Sequence, residues 1–356
     1  ALDYRPTLFS TLRKRDIPIS SLPNADPNNI SKNPIARLAA AVEWRWERVQ
    51  VAVRGYFIRR GGAAYIRWRW PWPIRKPFER ASLRLYSLGG GVGDELMCTP
   101  IFREIRRRNP QCRITYLSRY VEMFRSNPNI DAVEPYTVEG ARSAIQLSYL
   151  PVLPPPRPLI TLMAECVGLE LRSEQLDPPA VEATAEIRDR ITAVPRLRII
   201  VQPRASHWTP NKHWPDDSWR ALIRRLVERF EVIEVGTQTL FPGHDFGPRF
   251  HSLAGVTGLR DFVWTIGQGS VFVGPPSGGM HIANAFHIPS VIIFGGYESP
   301  AGYFYPRTDA LYGCVPCAPC WLTTPCPYDL KCLRMIEPER VFRLVCKAAE
   351  ASDARP

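Results

Sequence analysis

The chain has 356 residues and no run of 18 uncharged apolar ones, which argues against a transmembrane helix. Its first residues, ALDYRPTLFSTLRKRD, lack the continuous apolar core of a signal peptide. The expectation is a cytoplasmic protein, with peripheral attachment at the inner face of the plasma membrane as an extension of it. The dinucleotide fingerprint G-x-G-x-x-G is missing, so NAD is not expected. There is no solenoid-type repeat and no recognisable RNA- or DNA-binding motif. Acidic residues are outnumbered, 34 against 46 basic ones, leaving a formal charge of +12. The hydrophobic fraction of 45% is ample for buried cores.

What the chain does contain is a repeated strand-turn-helix grammar, the mark of α/β architecture. VFVGPPSGGMHIANAFHIPSVIIF, from Val271 to Phe294, reads as strand, glycine turn, short helix and strand. Ser277, Gly278 and Gly279 sit where the helix begins, so its first N–H groups and dipole offer an anion site, and His281 lies one turn on. Upstream, LRLYSL (Leu83 to Leu88) is followed by GGGVGD, a helical pattern, the stop Asn109-Pro110 and the strand RITYL. That pattern puts Met97, Ile101 and Ile105 on one face and Arg103, Arg106 and Arg107 on the other. The glycine turn falls at the carboxyl end of a strand, where open α/β sheets bind ligands. Asp94 closes it and reads either as an N-cap or as a functional carboxylate. A further strand, RLRIIVQP, precedes a helix that should start near Asp216 and bury Trp219, Leu222, Ile223, Leu226 and Phe230. EVIEVG follows as a strand.

Residues 1–80 read as an extension, opening on a polar, Pro/Asn-rich stretch. Between Ile35 and Arg80 lie five of the ten Trp, Trp44, Trp46, Trp68, Trp70 and Trp72, with eleven Arg or Lys against three Glu. Indoles beside arginines suit an anionic membrane surface, placed first. Self-association comes next, because the same residues are favoured at interfaces, and nucleic acid last. PVLPPPRP (Pro151 to Pro158) is too proline-rich for a helix or central strand and reads as a surface loop.

Five of nine cysteines, Cys314, Cys317, Cys320, Cys326 and Cys332, fall within the loop 314–332. In a reducing compartment this density and the C-x2-C spacing point to a metal, zinc or iron. A free-thiol loop with adventitious disulfides is the other reading. Cys98, Cys112, Cys166 and Cys346 read as small buried hydrophobes.

Taken together, these segments resemble glycosyltransferase family nine, the bacterial heptosyltransferases. GVGDELMCTPIFREIRRRNP resembles that family's G-D-x-x-x-x-T-P opening. PRASHWTPNKHWPDDSWRALIRRL resembles its K-x-W-P segment, with Lys212, Trp214 and Pro215 in register. CAPCWLTTPCPYDLKCLRMIEPERV resembles its C-x-x-C…C-P…C…P-E-x-V ending. The four motifs occur in order within residues 83–346, and residues 1–80 are not covered.

The resemblance implies a GT-B fold, two Rossmann-like domains facing a cleft, here with an N-terminal aromatic and basic extension. The expected parts are 1–80, 81–190 on the acceptor side, and 191–356 on the nucleotide-sugar side with the loop 314–332. It implies an inverting transferase that moves a sugar, heptose first, from a nucleotide-diphosphate sugar such as ADP-heptose to a lipopolysaccharide-type saccharide or glycolipid acceptor. Asp94 would be the base, and Lys212, Ser277, Gly278, Gly279 and His281 would bind the donor, with no obligatory catalytic metal. Cys317, Cys320, Cys326 and Cys332 would hold a structural zinc or iron; one branch, the autotransporter heptosyltransferases, carries iron and forms rings. The alternatives are another sugar, a protein acceptor, or a non-catalytic assembly protein on this fold. One departure stands out: Pro276 replaces an Asp common in the family. The expected consequence is another donor sugar, compensation by Ser206 or His207, or lost catalysis.

Overall fold

The computed structural model describes residues 77–149, 155, 157–195, 197–205, 209–243, 245–303 and 305–353. The five tryptophans of the extension, most of the proline run, Ser206 and His207 lie outside the described residues. No described helix is long and apolar enough to cross a membrane.

Two separate parallel sheets organise the described residues. Strands β1 (Ser82–Ser87), β2 (Arg113–Ser118), β3 (Ala132–Pro135) and β4 (Ile145–Leu147) stand in the order β3-β2-β1-β4. The second sheet holds β5 (Arg198–Val201), β6 (Glu231–Glu234), β7 (Phe250–Ser252), β8 (Val271–Gly274), β9 (Ser290–Gly295) and β10 (Thr308–Tyr312). Its order is β10-β9-β8-β5-β6-β7, the doubly wound arrangement. In register, Leu85 of β1 pairs with Tyr116 and Ile145, and Ile200 of β5 pairs with Ile233 and Phe272. Each sheet changes winding direction beside its first strand, between β1 and β4 and between β5 and β8. Crevices for ligands open at those points.

The helical pattern after the first glycine turn is broken in two, α1 (Val92–Leu96) and α2 (Thr99–Arg108). Pro100 supplies no N–H and is tolerated only in a first helical turn, so a new helix starts there. Met97, Ile101 and Ile105 are nevertheless all buried, as the periodicity predicts. The first half continues through α3 (Val121–Phe124), α4 (Val138–Arg142), α5 (Leu159–Glu165) and α6 (Ala185–Thr192).

In the second half α7 (Asp216–Leu226) buries Trp219, Leu222, Ile223 and Leu226 completely, and Phe230 beyond it is nearly buried too. Side chains of this kind contribute roughly 1.5–3 kcal/mol each when removed from water, so α7 is a core element. Helices α8 (Leu259–Gly267), α9 (Gly278–Ala285), α10 (Lys331–Arg334) and α11 (Pro338–Asp353) complete the half. The strands alternate between two apolar layers. Ile199, Val201, Val232, Val271, Val273 and Ile293 face α7 and α11. Ile200, Ile233, Phe272 and Ile292 join a layer continuous with the first sheet's core. Of the four cysteines expected in cores, Cys98, Cys112 and Cys346 are buried, whereas Cys166 is partly exposed. It lies at the end of α5, where its thiol reaches the Ser148 carbonyl at 3.4 Å.

Candidate active site

A cleft of about 750 Å³ is lined by both halves. Leu88, Gly89, Gly91 to Asp94, Met97, Tyr120 and Tyr149 come from the first, while Lys212, Pro276 to Gly279, His281, Tyr297, Glu298 and Trp321 come from the second. The two glycine turns meet here: a Cβ on Gly278 would lie 3.4 Å from that of Val92.

Asp94 occupies the third position of α1 and reaches back to the Gly91 N–H, which donates at 3.0 Å. It thus caps the helix, and its other oxygen accepts from the Tyr149 hydroxyl at 2.8 Å. The carboxylate lies over Gly89, whose Cβ, if it had one, would be 2.3 Å from the Asp94 carboxyl carbon. Only glycine leaves that space. Burial pushes the Asp94 carboxyl above its ordinary range. The Tyr149 and Gly91 hydrogen bonds and the Lys212 charge oppose the shift, and Glu298 adds to it. Both readings of Asp94 hold at the level of geometry: it is a cap, and it is a desolvated carboxylate facing a cleft.

Lys212 ends a short 3-10 turn, Pro210–Lys212, capped by Thr209. The turn is fixed from two sides. Asn211 donates to the Leu322 and Thr324 carbonyls at 2.8 and 2.7 Å, and buried Trp214 donates its indole N–H to the Ile336 carbonyl at 3.1 Å. Asn211 and Trp214 are therefore anchors, and Lys212 is what they present. Its ammonium lies 2.5 Å from Glu298, 3.1 Å from the Pro276 carbonyl, and 4.9 Å from the Tyr297 ring centroid.

Ser277 precedes α9 in extended conformation, and its hydroxyl donates to Gln202 rather than capping the helix. A Cβ on Gly279 would collide with Gln202 and Phe272, at 2.1 and 2.7 Å. Packing as well as ligand access therefore demands glycine there. His281 is buried, with Nδ1 2.6 Å from the Tyr305 hydroxyl and its ring edge-on to Tyr303 and Tyr305. Burial and the Lys212 charge push its pKa down to about 3, so the imidazole is neutral. Its far edge packs on Gly93.

The structure thus brings Asp94, Lys212, Ser277, Gly278, Gly279 and His281 to one cleft. Reading the sequence missed Glu298, Tyr149, Tyr303, Tyr305 and Trp321. The one available signal was Glu298, a charged residue just past the carboxyl end of β9.

The cysteine loop docks beside this wall. Cys320 and Trp321 donate backbone N–H groups to the Gly296 and Tyr297 carbonyls, each at 3.0 Å. Burial carries the Cys320 thiol up to about 11 and raises Cys332 too, and the neighbouring Cys317 and Cys326 add to both shifts. The Tyr328 N–H points at the Cys326 sulfur at 3.4 Å. Backbone N–H groups of Leu322 and Gly296 favour the thiolates of Cys320 and Cys332. Soft donors and N–H···S contacts fit a thiolate-bound ion. Among the described residues, however, no three His, Cys, Asp or Glu side chains converge as a metal site requires.

The sequence model for glycosyltransferase family 9 (heptosyltransferase) matches residues 159–310, which include Lys212 and the Ser277–His281 turn but not Asp94 or the cysteine loop. No protein of curated function matches the chain. Among solved structures, the chain is similar to ADP-heptose lipopolysaccharide heptosyltransferase II of E. coli. The identity is 16% and the TM-score 0.57, covering 76% of this chain and 100% of that one. A family 9 glycosyltransferase of Veillonella parvula gives 14% identity and a TM-score of 0.56, over 75% and 97%. The dodecameric, iron-containing heptosyltransferase TibC of enterotoxigenic E. coli, in complex with ADP-D-β-D-heptose, gives 16% and 0.58, over 77% and 78%. Likeness at such identities establishes the GT-B fold. Residues 159–310 are thus similar to glycosyltransferase family 9, and the whole described chain shares its fold with solved heptosyltransferases.

Proposed function

We propose that this glycosyltransferase moves a heptose from ADP-heptose to a saccharide hydroxyl with inversion at the anomeric carbon. The observation that carries the reading is one cleft with a desolvated carboxylate on one wall and a cation beside a glycine-led helix start on the other. A sugar nucleotide is already activated, so the protein must align the acceptor, take its proton and stabilise the departing diphosphate. Asp94 suits the second task, and Lys212 with the first N–H groups of α9 suits the third. The base attacks nothing itself: it removes the acceptor proton as the acceptor oxygen displaces the diphosphate in one step. ADP-D-β-D-heptose is the molecule bound to TibC, and the lipopolysaccharide-type acceptor is proposed from the likeness to the lipopolysaccharide heptosyltransferase II of E. coli.

ADP and ADP-heptose should each raise the melting temperature of the native chain, since a ligand that binds only the folded state stabilises it. Lys212→Ala should cut affinity for both by roughly 10–100-fold, the worth of a charge-assisted contact of about 1.5–3 kcal/mol. A native chain that ignores both ligands, or a variant that binds them unchanged by calorimetry, defeats the reading.

We further propose that Cys317, Cys320, Cys326 and Cys332, which do not converge in this structure, draw together around one structural zinc or iron and so pin loop 314–332 against the exit of β9. The sulfurs would supply all the protein ligands, and no catalytic step passes through the ion. Purification without chelator should give close to one metal per chain by elemental analysis. Replacing Cys317 and Cys320 together should release it and lower the melting temperature. A metal-free chain with its native stability rejects this assignment.

A further inference from the structure

Glu298 is a buried charged group in the cleft that the reading above leaves without a task. It is only 2% exposed, yet it lies among the cleft residues. Its Oε2 accepts from the Tyr303 hydroxyl at 2.7 Å, and its Oε1 faces the Lys212 ammonium at 2.5 Å and makes no other hydrogen bond. An ionised carboxylate has about four lone-pair sites, so acceptor capacity remains. Its charge is felt at Asp94 and at Tyr149 on the opposite wall. Glu298 therefore lies against the cation suited to hold the diphosphate, near enough for its charge to reach the carboxylate suited to be the base. On the proposed reading, the sugar of a bound donor lies between that cation and that carboxylate, within the cleft that Glu298 also lines.

A buried carboxylate beside a diphosphate site is at first sight an error, since like charges repel and Lys212 would be shared. If Glu298 served only as a counter-ion for Lys212, an incoming diphosphate would take the ammonium and leave a buried charge poorly paired. A hydroxyl donated by the ligand repairs that deficit. We propose that Glu298 selects the donor by its sugar, accepting a hydrogen bond from a sugar hydroxyl while Lys212 passes to the diphosphate. A site built to take a hydroxyl discriminates strongly against ligands that lack it, because its acceptor is then left buried and unsatisfied. The bare nucleoside diphosphate, which is the leaving product, is such a ligand. Glu298 would thus favour loading of intact donor over retention of product.

This inference rests on the proposed donor site, and the test keeps the two apart. Calorimetry with ADP and with ADP-heptose, on the native chain, Glu298→Gln and Glu298→Asp, gives for each protein the ratio of the two affinities. Glu298→Gln removes the charge at nearly constant shape. It should bind ADP at least as tightly as the native chain, because Lys212 is freed from its counter-ion. The preference for ADP-heptose over ADP should fall tenfold or more, as a charge-assisted contact predicts. Glu298→Asp keeps the charge but withdraws the oxygens by one methylene, so it should lose the same preference while retaining native melting behaviour. It covers the case in which the Gln variant does not fold. Equal weakening of both ligands, or an unaltered ratio, overturns the role of Glu298 and leaves the donor site standing. A native chain that binds neither ligand overturns both.

Discussion

Asp94→Asn abolishes transfer while leaving the fold and donor affinity nearly untouched. General-base catalysis is worth about 10²–10⁴-fold, and kcat should fall by that factor. The reason to expect an intact fold lies in the two hydrogen bonds of Asp94, from the Gly91 N–H and the Tyr149 hydroxyl. An Asn oxygen can keep the first, and the tyrosine hydroxyl can turn to accept from the new amide. Shape and cap survive, and only the basic oxygen is lost. The pH profile provides the second half of the same expectation. Burial raises the Asp94 pKa, so the acid limb of kcat/KM should lie above the ordinary carboxylate value of about 3.9. Activity is lost as pH falls through that limb, because the protonated acid cannot take the acceptor's proton. Tyr149→Phe should move the limb higher still, since the hydroxyl stabilises the charged form. Near-native turnover by folded Asp94→Asn, measured with ADP-heptose at saturation, removes Asp94 from the role.

Gly93→Ala carries the second large effect, through a residue that touches no reacting atom. A Cβ there would lie 2.3 Å from His281 Cδ2 and 2.7 Å from its Nε2, where no real Cβ fits. The ring cannot swing aside cheaply: it is buried, tied to Tyr305 at 2.6 Å and lodged against two tyrosine rings. The strain must separate α1 from α9 and with them the two glycine turns. Overpacking of this kind costs about 1–3 kcal/mol of stability. Misplacing Asp94 relative to the donor by about 1 Å can cost 10²-fold in rate. Gly93→Ala should therefore lower both the melting temperature and kcat, and His281→Ala added to it should restore part of each. Additive losses in the double-mutant cycle would mean that the two residues do not meet in solution.

Most of the fold could be read from periodicity. α7 is the clearest case: Trp219, Leu222, Ile223 and Leu226 recur at helical spacing and all face the core. The glycine turns were equally visible, because glycine at the end of an apolar strand is a local signal. Two features were not. The break at Pro100 hides within an otherwise continuous amphipathic pattern, and only the missing N–H of the proline betrays it. The far side of the site hides for another reason. Tyr149, Glu298, Tyr303, Tyr305 and Trp321 reach Asp94, Lys212 or His281, or line the same cleft, from loops scattered along the chain. Spacing along a chain encodes contacts across a turn; it does not encode contacts across a cleft between two sheets. The Trp- and Arg-rich extension was the loudest compositional signal, and its residues 1–76 lie outside the described residues.

The neutral His281 makes the wall of the cleft a proton-linked assembly. In the unfolded chain an imidazole takes up its proton near pH 6.5, whereas burial and Lys212 delay this in the folded chain to about pH 3. Between those values the unfolded state binds the extra proton, so on this group's account stability rises with pH there. Acidification from 6.5 towards 3 therefore progressively favours release of His281 into water, and below about 3 the effect stops growing. Asp94, whose pKa is raised, works in the opposite sense over its own interval. Because His281 is the ring that Gly93 rests on, the first structure that acid should loosen is the junction between the two halves, and the sheets themselves only later.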